Sequence, residues 1–187
     1  TLGFFLLLQV SAAIVNPVLP LFLKTLSRED AAIGSLLGTA LFMMGVMGAA
    51  TAALLARFSN RFGLKPIIVF ACLGFCAVDL AQLFTRSVLQ FTMLVAISGV
   101  FRASMLTASV SLIGLTVPRT RVGSAFGIAQ SLGAASLAIA PLVGGTLASL
   151  FGLRLVFAFA ATSFLLLALV AAIGLNDART ETQATSS

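Results

Sequence analysis

Residues 32–56 read AIGSLLGTALFMMGVMGAATAALLA, a stretch without a charged side chain. A helix that crosses a bilayer needs about 20 such residues, because the apolar core is about 30 Å thick and each residue rises about 1.5 Å. The rest of the chain has the same character, since 60% of its residues are hydrophobic and 9% are charged. A soluble domain carries about 25% charged residues. The sequence therefore predicts an all-helical integral membrane protein.

Six stretches have this length and composition. Each must bond its own backbone groups, because the bilayer offers them no water. Short connections predict that consecutive spans are antiparallel and that residues 1–175 form one unit. The spans, numbered one to six, are Leu2–Leu23, Ala32–Ala56, Pro66–Phe84, Val88–Val117, Val122–Leu150 and Leu153–Leu175. The polar segment Asn176–Ser187 is predicted to be a disordered cytoplasmic tail.

An internal repeat relates spans one to three to spans four to six. At one constant shift and without a gap, Gly34–Gly38 matches Gly123–Gly127, Phe62–Lys65 matches Phe151–Arg154, and Phe70–Ala71 matches Phe159–Ala160. Three helices make an odd number of crossings, so the second copy must lie inverted relative to the first. The sequence predicts a 3+3 inverted repeat.

Composition and residue types exclude several classes of function. The net charge is +6, but the basic residues are scattered singly between apolar runs and form no patch for nucleic acid. Cys72 and Cys76 lie one helical turn apart and are typical packing residues. The chain has no histidine, no ligand cluster for a metal and no phosphate-binding loop. We expect no enzyme activity, no metal and no cofactor.

Basic residues in the connections predict the orientation, because cytoplasmic connections carry the excess of Lys and Arg. Six crossings place both termini on one side. That side has six basic residues and the other has four; the six are Arg57, Arg61, Lys65, Arg119, Arg121 and Arg179, and the four are Lys24, Arg28, Arg86 and Arg154. We expect both termini to be cytoplasmic in a bacterial inner-membrane protein.

Two motifs resemble those of the major facilitator superfamily. The stretch ARFSNRFGLK, residues 56–65, resembles the superfamily's cytoplasmic-loop signature GxLaDRxGRK; Arg61, Gly63 and Lys65 match it, while Asn60 replaces its aspartate. The stretch from Pro141 through Gly144 and Gly145 to Phe157 resembles the PxxGGxL…GxRxxF motif of drug-efflux members. The opening of the first span, Phe4–Gln9 followed by Asn16-Pro17 and Pro20, is similar to a helix of these exporters.

The resemblance spans Leu2–Leu175 and implies half of a twelve-helix transporter. The weaker form of the signature is typical of second halves, so we expect helices seven to twelve and a missing N-terminal half. The start at Thr1 without Met also indicates a fragment. Pro141, Gly144 and Gly145 remove a hydrogen bond and side-chain bulk, which predicts a bend and a close helix contact.

Two charged residues, Arg102 and Asp79, fall well inside predicted spans. An ionisable group in a membrane marks a pathway, a coupling site or a buried pair. Arg102 either contacts an anionic group in a substrate cavity or locks two helices through a partner. By resemblance its span is a cavity helix and that of Asp79 is peripheral. Asp79 is the candidate for charge pairing or proton coupling, and the two side chains are within reach of each other.

Polar and adaptable side chains are further candidates for a substrate cavity, with interhelical bonding or packing as the alternatives. They are Gln9, Asn16, Gln130, Ser131 and the cluster Phe42, Met43, Met44 and Met47. Glycines at Gly34, Gly38 and Gly45, repeated at Gly123 and Gly127, permit close helix approach. By resemblance these faces meet the opposite half; the alternative is packing inside this one.

The resemblance implies secondary transport of a small molecule, with efflux of amphipathic, drug-like compounds in exchange for protons by alternating access. The expected partners are the lipid bilayer, the substrate, protons and the missing half. Two alternatives remain open. One is an importer or facilitator of a metabolite such as an organic anion or sugar, and the other is a membrane scaffold or sensor.

Overall fold

The computed structural model describes residues 2–26, 33–62 and 64–174. These residues contain no strand. The helices are α1 (Leu2–Ile14), α2 (Val18–Leu26), α3 (Ile33–Phe62), α4 (Leu64–Leu83), α5 (Val88–Thr116), α6 (Val122–Phe151) and α7 (Leu153–Gly174). Six segments are long and apolar enough to cross a membrane, which confirms the six predicted spans. The first span consists of α1 and α2, and α3 to α7 are spans two to six. The predicted tail Asn176–Ser187 lies outside the described residues.

The first span is not the single helix predicted over Leu2–Leu23. It breaks at residues 15–17, where Pro17 provides no N–H and disfavours helical geometry at Asn16. The backbone changes to tighter turns, in which Asn16 N donates to Ala13 O at 3.1 Å and Val18 N donates to Val15 O at 3.0 Å. Gln9 and Asn16 are therefore not joined by one continuous helix.

The predicted cytoplasmic loop after the second span is largely helical, so that prediction is wrong. α3 continues beyond Ala56 to Phe62 and includes Asn60 and Arg61, while Lys65 lies in the first turn of α4. Gly63 lies outside the described residues. A charged residue ends the apolar span without ending the helix, because arginine is a good helix former and its head group can reach water.

Two further connections are tight. A 3₁₀ turn, Arg119–Arg121, joins α5 to α6, and Gly152 alone joins α6 to α7. Gly152 has a φ of 88°, a conformation that only glycine adopts readily, and its N–H donates to Ala148 O at 3.0 Å. Such connections force neighbouring spans to run antiparallel.

Helix packing follows the repeat. The contact of α3 with α5 corresponds to that of α6 with α1, and the contact of α4 with α5 corresponds to that of α7 with α1. α4 and α7 contact each other. Because they are partners in the repeat, the repeat relates this contact to itself. Each contact of the first copy thus has its counterpart in the second, as an inverted repeat requires.

Three glycines permit the closest helix approaches. A Cβ added at Gly99 of α5 would overlap the carbonyl of Met44 in α3, and one at Gly48 would lie 3.2 Å from Gly99 O. In α6, a Cβ at Gly144 would lie 2.5 Å from Ile14 O and 3.1 Å from Pro17 Cγ. α6 therefore packs directly against the break in the first span.

The buried core lies among α4, α5, α7 and the first span. One cluster joins Leu8, Cys72, Phe75 and Phe164, and a second joins Phe22, Phe91 and Phe157. α3 and α6 stand at the side of this core, and most of their apolar residues are exposed. The unit thus has a packed interior and two largely exposed helices, the second and fifth spans, whose exposed surfaces are together called the open flank.

Candidate functional site

A polar cavity lies inside the bundle, between the first span, α3, α4, α5 and α7. Its empty volume is about 400 Å³, part of which is open to the surroundings. Both intramembrane charges, Asp79 and Arg102, line it. The full lining consists of Ala12, Val15, Asn16, Leu19, Met44, Phe75, Asp79, Gln82, Val95, Ser98, Arg102 and Phe164.

One wall of the cavity is a single face of α4. Phe75, Asp79 and Gln82 lie four and then three residues apart, which is the spacing of neighbours on one helix face. Asp79 is 3% exposed and Gln82 is 2% exposed. The Asp79 Oδ2 and Gln82 Oε1 atoms are fully buried without a hydrogen-bond partner. This face therefore presents two unsatisfied acceptors one helical turn apart.

The facing wall is α5, which presents Val95, Ser98 and Arg102 at helical spacing. The Ser98 hydroxyl donates to Val95 O at 2.6 Å, so it is already bonded within its own helix. Within the described part of the chain, Arg102 forms neither an ion pair nor a hydrogen bond. The carboxylate and the guanidinium thus share a cavity without forming the charge pair.

The remaining walls are supplied by the break in the first span and by apolar side chains. Asn16 lies at the break and lines the cavity. Phe164 of α7 is stacked on Phe75, with ring centroids 4.6 Å apart and planes 8° apart, and Met44 of α3 contributes a flexible thioether. The polar groups of the cavity are therefore surrounded by largely apolar walls.

The structure separates the predicted site residues into two groups. Arg102, Asp79 and Asn16 line the internal cavity. The others lie elsewhere: Gln130 and Ser131 are exposed on α6, and Phe42, Met43 and Met47 are exposed on α3. Gln9 is partly buried, with its Nε2 atom 3.3 Å from the position of a Cβ on Gly133 of α6. The second group belongs to the open flank or to the interface between α1 and α6.

The glycines of the proposed packing motif also fall into two groups, buried and open. Gly144 is buried against the break, while Cβ positions at Gly34, Gly38, Gly123, Gly127 and Gly145 meet no described atom within 4 Å. Gly45 has the same open surroundings. Pro141 lies inside the continuous helix α6 and is exposed. Within the described residues, these open glycines do not serve packing in this unit.

Sequence reasoning missed Gln82 and Ser98, which both line the cavity. The signal for both was present, because Gln82 lies three residues after Asp79 and Ser98 lies four residues before Arg102. Polar residues at helical spacing from an intramembrane charge share its face. Of the predicted cluster on α3, Met44 lines the cavity, whereas Phe42, Met43 and Met47 are exposed.

Together these features define a multi-pass helical membrane protein with an internal polar cavity and an open flank. The chain belongs to the Major Facilitator Superfamily, whose family model matches residues 1–187.

The relatives include two drug-resistance proteins. The chain is 28% identical over 163 residues to the multi-drug resistance efflux pump PmrA of Streptococcus pneumoniae, covering 87% of this chain and 40% of the relative. It is 30% identical over 146 residues to the multidrug resistance protein MdtG of Proteus mirabilis, covering 78% and 36%. The chain thus spans about two-fifths of the length of these relatives.

A solved structure has the same fold. The chain superimposes on a mutant of the peptide transporter POT, crystallised in complex with sulfate, with a TM-score of 0.69 and 16% sequence identity. The match covers 98% of this chain and 42% of the other. At this identity the similarity concerns the fold, which is that of half of a major facilitator protein.

Proposed function

We propose that this chain is the C-terminal six-helix half of a secondary transporter that exports small amphipathic compounds in exchange for protons. Membership of the superfamily supports transport, and the names of PmrA and MdtG support efflux of drug-like compounds. Proton exchange and placement as the second half rest on the motif resemblance. The second half works with an N-terminal six-helix half, and both termini face the cytoplasm of a bacterial inner membrane.

The open flank is the observation that carries this proposal. The second and fifth spans, related by the repeat, are the two that this unit leaves largely uncovered. Phe42, Met43 and Met47 on α3 give this flank an adaptable apolar surface, and Gln130 and Ser131 on α6 add polar atoms. A companion half seated here would enclose a path lined by side chains that suit varied amphipathic compounds.

Alternating access needs two bodies that rock against each other around a shared site. The open glycines of α3 and α6 suit this movement, because helices without side-chain interlocking can slide at close distance. The internal cavity, in contrast, lies among helices of one body. We therefore assign the substrate path to the open flank and a separate role to the internal cavity.

The test is transport by reconstituted vesicles that contain the chain with or without an N-terminal half. We expect saturable extrusion of a fluorescent amphipathic dye only when both halves are present, and loss of the extrusion when a protonophore collapses the proton gradient. Met47→Ala should change the KM for the dye, while Ile173→Ala, exposed on α7, serves as the matched control. Gradient-driven flux by this chain alone would refute the two-half assignment.

A further inference from the structure

The internal cavity contains acceptors that no donor in the described part of the chain satisfies. Asp79 Oδ2 and Gln82 Oε1 are both buried, both unpartnered and one helical turn apart on α4. A buried acceptor without a donor destabilises a protein by about 1–3 kcal/mol, and a buried charge by more. Two such acceptors lie on one face of α4 and line one cavity, which indicates a site for an external group that accepts their lone pairs.

Arg102 does not supply the missing partner of these two acceptors. It lines the same cavity, yet within the described residues it forms no ion pair with Asp79, and none of its nitrogens is among the buried unpartnered atoms. We place the acceptors at the closed end of the cavity, because these oxygens are fully buried, whereas the nitrogens of Arg102 are not. The uncharged lining of the first span, α3 and α7 contributes no competing cation.

The break in the first span adds further oxygens beside this end. Asn16 N bonds to Ala13 O and Val18 N bonds to Val15 O, so neither donor reaches the carbonyl four residues back. The carbonyl of Ala12 thereby loses its usual helical donor, and Ala12 lines the cavity, as do Val15 and Asn16. Unwound carbonyls at a broken membrane helix are suited to binding small cations.

Size and charge define the ligand. The enclosed part of the cavity has room for roughly two or three water-sized molecules, and the rest of its volume is open to the surroundings. The enclosed part is too small for a drug-sized compound. The ligand atoms that the cavity offers are hard oxygens, which together carry one formal negative charge. The described residues contain no group of three His, Cys, Asp or Glu side chains that would hold a metal ion. Divalent cations take several charged oxygen ligands, whereas a small monovalent cation needs one carboxylate and neutral oxygens.

We propose that Asp79 and Gln82 of α4, together with the broken first span, bind a monovalent cation of the size of sodium inside this six-helix unit. The positive charge of Arg102 faces the same cavity and weakens the binding. The inference does not rest on the proposed function, because it concerns binding within one half and is independent of which compound moves or of proton exchange.

The experiment is thermal unfolding of the purified full chain in detergent, in sodium, potassium or choline chloride at one fixed ionic strength. A ligand that binds the folded state raises the unfolding midpoint in a saturable way. We expect sodium to raise it by roughly 3–6 °C at about ten times the Kd, potassium to raise it less, and choline to have no effect.

Variants locate the site. Asp79→Asn, which keeps the size and removes the charge, should abolish the sodium response, and Gln82→Ala should weaken the sodium affinity by roughly tenfold. Arg102→Met should strengthen it severalfold, because a like charge is removed. Gln90→Ala, exposed near the start of α5, is the matched control and should respond as the original chain does.

Several outcomes would overturn the proposal. An equal rise in choline chloride, a sodium response that survives in Asp79→Asn, or a midpoint that follows pH but not sodium would each do so. If Asp79→Asn does not fold, binding of radioactive sodium to the original chain and to Gln82→Ala gives the decision, since equal binding by both refutes the site. Transport by the two-half assembly is measured separately, so either proposal can fail without the other.

Discussion

The third and sixth spans and the second and fifth spans are four apolar helices of one small bundle, but they differ sharply in burial. In α4 and α7, 44% of the span is buried, compared with 6% in α3 and 17% in α6. Mean hydropathy does not account for this, since the first span has a mean hydropathy of 1.5, below the 1.7 of α3 and α6, and is also 44% buried. Each pair consists of repeat partners, so the contrast follows the repeat.

The difference teaches that hydropathy determines which segments enter the membrane, while side-chain size and shape determine which pack together. Lipid is as apolar as leucine, so helices associate through close packing and polar contacts rather than through a hydrophobic drive. Phe75 and Phe164 interlock in the packed pair, whereas the open pair presents glycines that meet no described neighbour. The predictions below test this contrast, beginning with the largest expected effect on stability.

Removal of a packed ring should destabilise the chain far more than removal of a ring from the open flank. Phe157 is 0% exposed and its ring centroid lies 5.1 Å from that of Phe22, whereas Phe42 is 65% exposed. Phe157→Ala should lower the free energy of unfolding by roughly 3–5 kcal/mol, and Phe42→Ala by at most about 0.5 kcal/mol. Unfolding of both variants in detergent measures this; equal losses would mean that the flank is packed.

Glycines should show the same contrast with a smaller effect. A Cβ at Gly99 would overlap the backbone carbonyl of Met44, which cannot move aside as a side chain can. We expect Gly99→Ala to destabilise by about 1–3 kcal/mol. Gly38→Ala, on the open face of α3, should be neutral or stabilising, because alanine has the higher helix propensity. A destabilising Gly38→Ala would place that glycine in a helix contact within this unit.

Chemical labelling sharpens the comparison without a large change in stability. Cys72 and Cys76 are buried, so a cysteine introduced at Met47 should dominate labelling by a lipid-permeant maleimide. We expect the N-terminal half to protect Met47→Cys, and to leave Leu166→Cys on α7 as reactive as before. Equal reactivity of Met47→Cys with and without that half would show that the companion does not cover the flank.

Cysteine substitutions in two exposed connections test the orientation and should leave the stability of the chain unchanged. Ser87 and Thr120 are exposed in connections at opposite ends of α5. With cytoplasmic termini, Ser87→Cys should react with an impermeant reagent from outside the cell, and Thr120→Cys only after the cells are opened. The reverse pattern would invert the topology.

The sequence predicted the six spans, and four of them end within two residues of the observed helices. The two differences have physical causes that a hydropathy pattern does not carry. Pro17 removes an N–H inside an otherwise apolar run, so the first span breaks although its hydropathy is continuous. Arg57 and Arg61 end the apolar stretch, yet α3 continues because its backbone bonds are local and need no lipid.

The candidate site was harder to predict than the spans. Arg102 and Asp79 could be found because charges in a membrane are rare, but only the structure shows that they share a cavity and do not form an ion pair. The rotation of α3 and α6 about their axes could not be derived, since both helices are apolar on all sides. Phe42 and Gln130 therefore lie on the open flank, although they appeared equal to Asn16 as candidates.

The break at residues 15–17 also has a mechanical consequence. A continuous helix transmits a push along its axis as a rigid rod does, whereas the first span consists of two short rods joined at a turn. α1 packs mainly against α6, whereas α2 packs against α3 and α7 and contacts α6 less, so the two rods differ in their main neighbour among the flank helices. Gly144 lies against Ile14 O at the joint and fixes the position of the pivot. We therefore expect a force on the C-terminal end of α2 to rotate α2 about the break and not to slide the whole first span.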